Sequence, residues 1–346
     1  MEAILLVGGL GTRLLPLTKA VPKPLIPLAN VPFVERTVRW LRDAGIDHVI
    51  LSVHYNAEQF QQHFTEHPLD VKLSFAIEAQ PLGTGGAIKN CEPFLRSSRC
   101  LIFNGDIFTN LRLPDMLAAH RQAGAQVSIA LTEVEDPSKY GVIETDTQGR
   151  IHTFTEKPPR ELARSRDINA GVYIFERSVF DHFPTGACSV ERDIFPQLLA
   201  NGIPLYGYHE QPYWTDLGTP GDYLQAHRDI LARKVYIPVE YRELAPGFWI
   251  GQQVEIADDA LIRPPVILGD GVRIAGNATV GPQVVLGTGV QIGHDALVED
   301  SIIWEGATIL PESVVRGCIF GREAQVSGIV IDALCEDRGK LESPTP

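Results

Sequence analysis

Ile4-Leu5-Leu6-Val7-Gly8-Gly9-Leu10-Gly11-Thr12-Arg13-Leu14-Leu15-Pro16-Leu17-Thr18, followed by Pro22-Lys23-Pro24-Leu25, is the stretch on which the fold turns. A short apolar run feeds directly into glycines, as a strand does when it ends in a phosphate-cradling loop. Glycines let backbone N–H groups approach an anion closely, and successive N–H groups form a concavity for it. Arg13 and Lys23 add fixed cations. No Gly-Lys-Ser/Thr follows, so this is not a Walker A loop. The third glycine position of a dinucleotide fingerprint holds Leu14, so it is not that motif either.

Outward from this loop, strand-like and helical stretches alternate. Strands are expected at Ile4–Val7, His48–Val53, Val71–Ile77, Cys100–Phe103 and Val127–Leu131. Helical patterns are expected at Val34–Ala44 before Gly45, Thr84–Leu95, and Leu113–Ala123 before Gly124. Such alternation predicts a doubly wound, Rossmann-like α/β sheet. Later strands at Gly141–Thr145, Ile151–Phe154 and Ala170–Phe175 follow at shorter spacing, so the sheet is expected to be mixed.

From Ile250 the texture changes to a six-residue period. Ile250, Ile256, Ile262, Leu268, Ile274, Val280, Leu286, Ile292, Val298, Trp304 and Leu310 stand six apart, all aliphatic but Trp304. Glycine often comes next, as at Gly251, Gly269, Gly281, Gly287 and Gly293. This period predicts a C-terminal left-handed parallel β-helix of three to four coils, with the eleven hexad residues inside. The expected division is therefore an α/β domain over 1–232, a linker over 233–248 with Pro238 and Pro246, the β-helix over 249–331, and a disordered tail over 332–346.

The chain has 346 residues, with 30 Lys+Arg against 43 Asp+Glu, a formal net charge of −13. That charge argues against nucleic acid as a partner. No apolar run approaches the ~18 residues that span a bilayer, and no signal peptide is recognisable, so no membrane is expected and a cytoplasmic location is. The 5 cysteines are scattered and never form CxxC, which disfavours zinc and disulfides. His294, the one histidine of the repeat, sits at a corner-like position and reads as solvated, so an acyltransferase role for the repeat is disfavoured and an architectural one expected.

The pattern GGxGTRLxPLT…PKP at Gly8–Thr18 and Pro22–Pro24 resembles the signature of the sugar-1-phosphate nucleotidyltransferases. Further motifs follow in that family's order: Leu82-Gly83-Thr84, Asn104-Gly105-Asp106, Lys139–Val142, Glu156-Lys157-Pro158, Ile168–Tyr173 and Trp214–Thr219. The resemblance spans about residues 1–231. Val7-Gly8-Gly9, Pro137–Gly141 and Ser189–Pro196 look most like mannose-1-phosphate guanylyltransferases, although Leu15 stands where many of those carry a second arginine.

The resemblance implies nucleotidyl transfer from an NTP to a sugar 1-phosphate, releasing pyrophosphate. It implies that Val7, Gly8, Gly9, Gly11, Thr12, Glu78, Pro81, Gly83 and Thr84 bind the nucleotide. Arg13, Lys23 and Asp106 are implied as catalytic. Asn104, Gly141, Glu156, Lys157 and Asn169 are implied as the sugar-phosphate site, and Asp106 and Asp216 as carboxylates for Mg²⁺. Relatives that read pyrimidines usually place a glutamine where Glu78 stands, five residues before Gly83. A carboxylate only accepts hydrogen bonds, and guanine offers the adjacent N1–H and N2–H₂ donors. The expectation is therefore GTP with mannose 1-phosphate. Glucose-1-phosphate thymidylyl or uridylyl transfer is the alternative, with a catalytically silent regulatory homologue behind it. The expected partners are small molecules and further copies of the chain, joined through the β-helix.

Overall fold

The computed structural model describes residues 1–342. The chain divides into two compact units. One comprises Met1–Gly9 with Val34–Trp214, and the other comprises Leu10–Phe33 with the chain from Thr215 onward.

The first unit is built on a nine-stranded mixed sheet. Glu2–Leu6 lies at its centre, parallel to His48–Val53 on one side and to Arg99–Asn104 on the other. Lys72–Ile77 extends the parallel part beyond His48–Val53. Asp167–Glu176 joins Arg99–Asn104 antiparallel and makes the sheet mixed. Val127–Glu133, Gly141–Thr145, Ile151–Glu156 and Leu205–His209 complete it. Ala3, Ile4 and Leu5 are all fully buried, because a central parallel strand is covered on both faces and so needs apolar residues without alternation. On one face the strand residues Ile4, Tyr173 and Phe175 pack with Ile88, Phe180 and Phe195. On the helix Phe33–Asp43 the buried residues Val34, Val38 and Leu41 form one apolar ridge, and Gly45, with φ 88°, ends it.

The elements fall close to the expected positions. The helix Ala57–Glu66 was not foreseen: only Phe60 and Phe64 are buried on it, and one i,i+4 pair is too little periodicity to register.

The second unit contains the β-helix, as seven-, six- and five-stranded ladders of short strands that are parallel except at the first strand. Leu268, Ile274, Val280, Leu286, Ile292 and Val298 fill its interior, as the six-residue period requires. Polar Glu255, Arg273 and Gln291 stack on the outside of the six-stranded face.

Three expectations need correction here. First, Leu268 stands beside Leu286, but Leu286 stands beside Ile303, because that coil is one residue shorter. The interior series therefore continues through Ile303, Ile309 and Val315. Trp304 and Leu310 fall outside it, and Leu310 is exposed. Second, the coils shorten again, so that Phe320 pairs with Cys335 and Val326 with Leu341. The expected tail from 332 is thus structured through Glu342, with Cys335 in the interior, and there are more coils than three to four. Residues 343–346 lie outside those described. Third, part of the expected linker is a strand: Arg242–Ala245 runs antiparallel to Phe248–Ile250, which opens the first coil.

Candidate active site

The candidate residues fall into two groups, one in each unit. In the first, the strand Glu2–Leu6 delivers Val7, whose N–H donates to Ser52 O at 3.0 Å, and then Gly8. A Cβ at Gly8 would lie 3.3 Å from Glu78 Oε1 and 3.3 Å from His54 N, so the carboxylate of Glu78 lies directly beside the glycine backbone. Glu78 is buried. Its Oε1 accepts from the Ser52 hydroxyl at 3.0 Å and its Oε2 from the Leu82 N–H at 3.1 Å. Each carboxylate oxygen keeps a further lone pair for a ligand donor.

Gly83, with φ 68°, passes so close to Cys188 that a Cβ would meet its carbonyl oxygen at 2.6 Å. The neighbouring Thr84 hydroxyl is committed within the fold, donating to Glu191 Oε2 at 2.7 Å and accepting from Val190 N at 2.9 Å. Its side chain therefore holds the Ser189–Ile194 turn, and Pro81 beside it is exposed.

Asn104 ends the strand Arg99–Asn104, and Asp106 lies half-buried in the turn that follows. Asn104 Oδ1 is buried without a hydrogen-bond partner among the described residues. Asn169 Nδ2 donates to Tyr173 Oη at 2.8 Å, and Asn169 Oδ1 accepts from Gly171 N at 3.0 Å. Burial pushes the Tyr173 hydroxyl well above its usual range, so it stays a neutral hydrogen-bonding group.

Gly141 pairs with Glu156 across two antiparallel strands, and a Cβ there would lie 3.1 Å from Glu156 Oε2. Lys157 follows with φ 47°, a left-handed conformation for a non-glycine residue, fixed by its N–H to Tyr140 O at 3.0 Å. Its ammonium is 3.5 Å from Glu156 Oε1 and 58% exposed. Such strain persists where the surroundings enforce it, and it concentrates at working sites.

In the second unit, Gly11 adopts φ 62° and a Cβ there would strike Lys23 Cβ at 2.8 Å, so glycine is required on both counts. Thr18 donates to Gly11 O at 2.8 Å and closes the turn that carries Thr12 and Arg13. Arg13 Nη2 lies 3.7 Å from Asp216 Oδ2, and Lys23 Nζ lies 3.8 Å from Asp216 Oδ1. Lys23 is buried and Arg13 is exposed. One carboxylate thus faces both cations of the signature. Gly218 completes the cluster: a Cβ there would lie 2.6 Å from Asp216 Oδ1 and 2.8 Å from Arg13 Nη1. Gly218 was not foreseen as a site residue, although it stands within the Trp214–Thr219 motif.

Among the described residues no group of three or more His, Cys, Asp or Glu converges as a metal site, and no helix is long and apolar enough to cross a membrane. Magnesium takes hard oxygen donors, often only one or two carboxylates, with phosphate oxygens and water supplying the rest. Asp106 of the first unit and Asp216 of the second are each half-buried carboxylates. His294 is exposed and bonded to the neighbouring Asp295, Nδ1 to Oδ2 at 2.9 Å. All five cysteines are buried and free.

A family model for nucleotidyl transferases matches residues 2–233, and one for the GMPPB C-terminal domain matches residues 262–333. A mannose-1-phosphate guanylyltransferase of Mycobacterium tuberculosis is 38% identical over 278 residues, covering 78% of this chain and 73% of its own. A UTP–glucose-1-phosphate uridylyltransferase of Synechocystis is 32% identical over 340 residues, covering 93% of this chain and 88% of its own. Among solved structures, HddC from Yersinia pseudotuberculosis in complex with GMP-PN is 30% identical, with a TM-score of 0.57, covering 65% of this chain and 97% of that one. The chain belongs to the nucleotidyl transferase family, among its sugar-1-phosphate nucleotidyltransferases.

Proposed function

We propose that the chain transfers a guanylyl group from GTP to mannose 1-phosphate, giving GDP-mannose and pyrophosphate. The observation that carries the choice of base is Glu78: a buried carboxylate, oriented by Ser52 and the Leu82 N–H, beside Gly8. Guanine N1–H and N2–H₂ can both donate to it, whereas a pyrimidine carbonyl would face it with like partial charge. Such a mismatch discriminates by roughly 10⁴ in favourable sites. The M. tuberculosis relative is named a mannose-1-phosphate guanylyltransferase, and HddC was solved in complex with GMP-PN.

In the reaction an oxygen of the sugar phosphate attacks the α-phosphorus of the NTP in line. The bond from that phosphorus to the β-bridging oxygen breaks, and pyrophosphate leaves with its electrons. The nucleophile is already an anion, so no protein base is required, and catalysis consists of positioning and charge neutralisation. The backbone of Val7, Gly8, Gly9, Gly11 and Thr12 holds the nucleotide phosphates, with Pro81, Gly83 and the Thr84 backbone on the nucleoside side. Arg13 and Lys23 neutralise the charge developing on pyrophosphate. Lys157 holds the sugar's phosphate, while Glu156, Asn169, Asn104 and the Gly141 backbone bind sugar hydroxyls. Asn104 Oδ1 is a ready acceptor for one of them.

Asp106 and Asp216 would hold Mg²⁺, which would draw charge off the phosphate oxygens when bound. The chain works on small molecules in the cytoplasm and self-associates through the β-helix. Uridylyl transfer to glucose 1-phosphate is the second reading, favoured by the Synechocystis relative, which aligns over nearly the whole chain.

The deciding experiment is a pyrophosphate-release assay with Mg²⁺. It crosses mannose, glucose, galactose and N-acetylglucosamine 1-phosphates with GTP, dTTP, UTP, ATP and CTP. GTP with mannose 1-phosphate should give the highest kcat/KM. A higher value for UTP with glucose 1-phosphate moves the assignment to the second reading, and no release from any pair removes both.

A further inference from the structure

The interior register of the β-helix skips Trp304, yet this tryptophan is only 2% exposed. It packs against the helix Pro220–Leu231, its ring 6.5 Å from that of Tyr223 in an edge-on arrangement. Trp304 Nε1 donates to Tyr223 Oη at 3.1 Å, and Tyr223 Oη in turn donates to Pro27 O. Arg228, on the same helix, grips Asp300 of the β-helix through both carboxylate oxygens.

Pro27 begins a small hairpin just beyond Lys23–Leu25. Pro27–Leu28 pairs with Val31–Pro32, and Ala29 and Asn30 form its tip. Both tip residues have positive φ, 48° and 67°. That turn suits asparagine and glycine, and alanine adopts it only when held. The holding contacts are visible. Ala29 N donates to His227 Nε2 at 3.1 Å, while His227 Nδ1 meets Tyr223 O at 2.9 Å. These partners fix the tautomer: Nδ1 carries the proton and Nε2 accepts. Asn30 Nδ2 donates to Leu286 O of the β-helix at 2.8 Å. The hairpin that continues from Lys23 is thus fastened to the β-helix directly through Asn30 and indirectly through Tyr223 and Trp304.

We infer that the β-helix is a positioning element for the transfer reaction, with Trp304, Tyr223 and Asn30 clamping the Pro27–Pro32 hairpin and thereby setting where Lys23 and Arg13 stand. The inference rests on the proposed role of those two cations at the leaving pyrophosphate. Displacing a charge that acts on the transition state lowers kcat more than it weakens substrate binding.

The test uses the full chain with Tyr223→Phe, Trp304→Phe and Asn30→Ala. Tyr223→Phe should lower kcat about tenfold and Trp304→Phe about threefold, with KM for the sugar phosphate changed less than about twofold, since small misplacements near the chemistry are costly. In Tyr223→Phe/Lys23→Met the losses should add only in part, because the share of the clamp's effect that runs through the ammonium is already gone. Amide exchange over Leu10–Phe33 should quicken in each single variant. Unchanged kcat together with unchanged exchange overturns the inference, as do additive losses in the double variant. If Tyr223→Phe does not fold, Trp304→Phe and Asn30→Ala carry the same readouts. An inactive wild-type chain would count against the proposed function, while the exchange measurement would still decide the clamp.

Discussion

Lys23 Nζ and Asp216 Oδ1 lie 3.8 Å apart, joining a residue of the N-terminal signature to one nearly two hundred positions later. The lysine side chain is 9% exposed and the aspartate 21%, so the pair is poorly hydrated. Such a pair adds little net stability but is costly to break. Lys23→Met keeps the stem and removes the charge. It should lower kcat by about 10²–10³, the range for losing one group that stabilises developing charge. Arg13 remains near Asp216, so the fall in Tm should stay within about 8 °C. Pyrophosphate release and a melting curve check both. A large drop in Tm with kcat intact would make the lysine structural.

Gly218 makes a different prediction, because it contributes no chemistry. A methyl group there would collide with Asp216 Oδ1 and Arg13 Nη1. Gly218→Ala should displace the guanidinium and lower kcat/KM about tenfold to a hundredfold, the scale of a misplacement near 1 Å. Its Tm should fall only slightly, since both clashes are with the ends of side chains and are relieved by turning the Asp216 carboxylate and swinging the exposed Arg13 outward. Arg13→Ala made in parallel should reproduce the kinetic loss. Full activity in Gly218→Ala would show that Arg13 is not needed where it stands.

The backbone of Lys157 separates side-chain chemistry from strain. At φ 47° glycine is at ease and lysine is not. Lys157→Gly should therefore leave Tm unchanged or slightly raised. Its KM for the sugar phosphate should rise about tenfold or more, as expected on losing a charge-assisted contact worth roughly 1.5–3 kcal/mol. If Tm rises and KM does not, the lysine is only a strained surface residue paired with Glu156.

These positions also show how much was legible in the sequence. The glycine loop, the central strands and the six-residue period are local patterns, and patterns of that kind survive folding with little change. The register beyond Val298 did not follow the count, because one coil closes with a residue fewer and then Ile303, not Trp304, points inward. Nothing local to the sequence announces that deletion, apart from an indole in an otherwise aliphatic series. Thr84 was expected to serve the nucleotide, but its hydroxyl bonds Glu191 and Val190, more than a hundred residues away. Gly218 matters only because Arg13 and Asp216 converge beside it. Spacing reveals which residues belong to a motif, but it does not reveal which of them will be in contact.

A pH dependence unrelated to the site should arise from His120. It is buried, with Nδ1 2.7 Å from Ser128 Oγ and Nε2 3.1 Å from Glu176 Oε1. Burial lowers its pKa below the usual 6.5, outweighing the opposing pull of Glu176. The unfolded chain therefore takes up a proton below about pH 6.5 that the folded chain resists. The contribution is present above that pH and is lost as pH falls through the lowered folded value. His120→Gln should be less stable at pH 7.5. Its Tm should also decline less steeply than that of wild type between pH 6.5 and about 5, before carboxylates such as Glu2 and Glu35 begin to protonate. Parallel melting curves over that window check the slope, and identical slopes would remove His120 as the cause.

The sharpest test of specificity is Glu78→Gln. The Ser52 hydroxyl can donate to the amide oxygen as it does to Glu78 Oε1, and burial and volume hardly change. What changes is the second atom, which becomes a donor. It would oppose the Leu82 N–H unless the amide turns. Turned either way, the glutamine offers guanine one acceptor where the glutamate offers two, and it offers a pyrimidine carbonyl a donor it previously lacked. The ratio of kcat/KM for GTP over dTTP should fall by about 10² or more, with most of the loss on GTP, because a hydrogen bond to a charged partner is replaced by a neutral one. Tm should drop only slightly. Initial rates with both nucleotides at fixed mannose 1-phosphate measure the ratio directly. A ratio that stays put while the protein remains folded would mean that Glu78 orders the Gly8 loop and that another group reads the base.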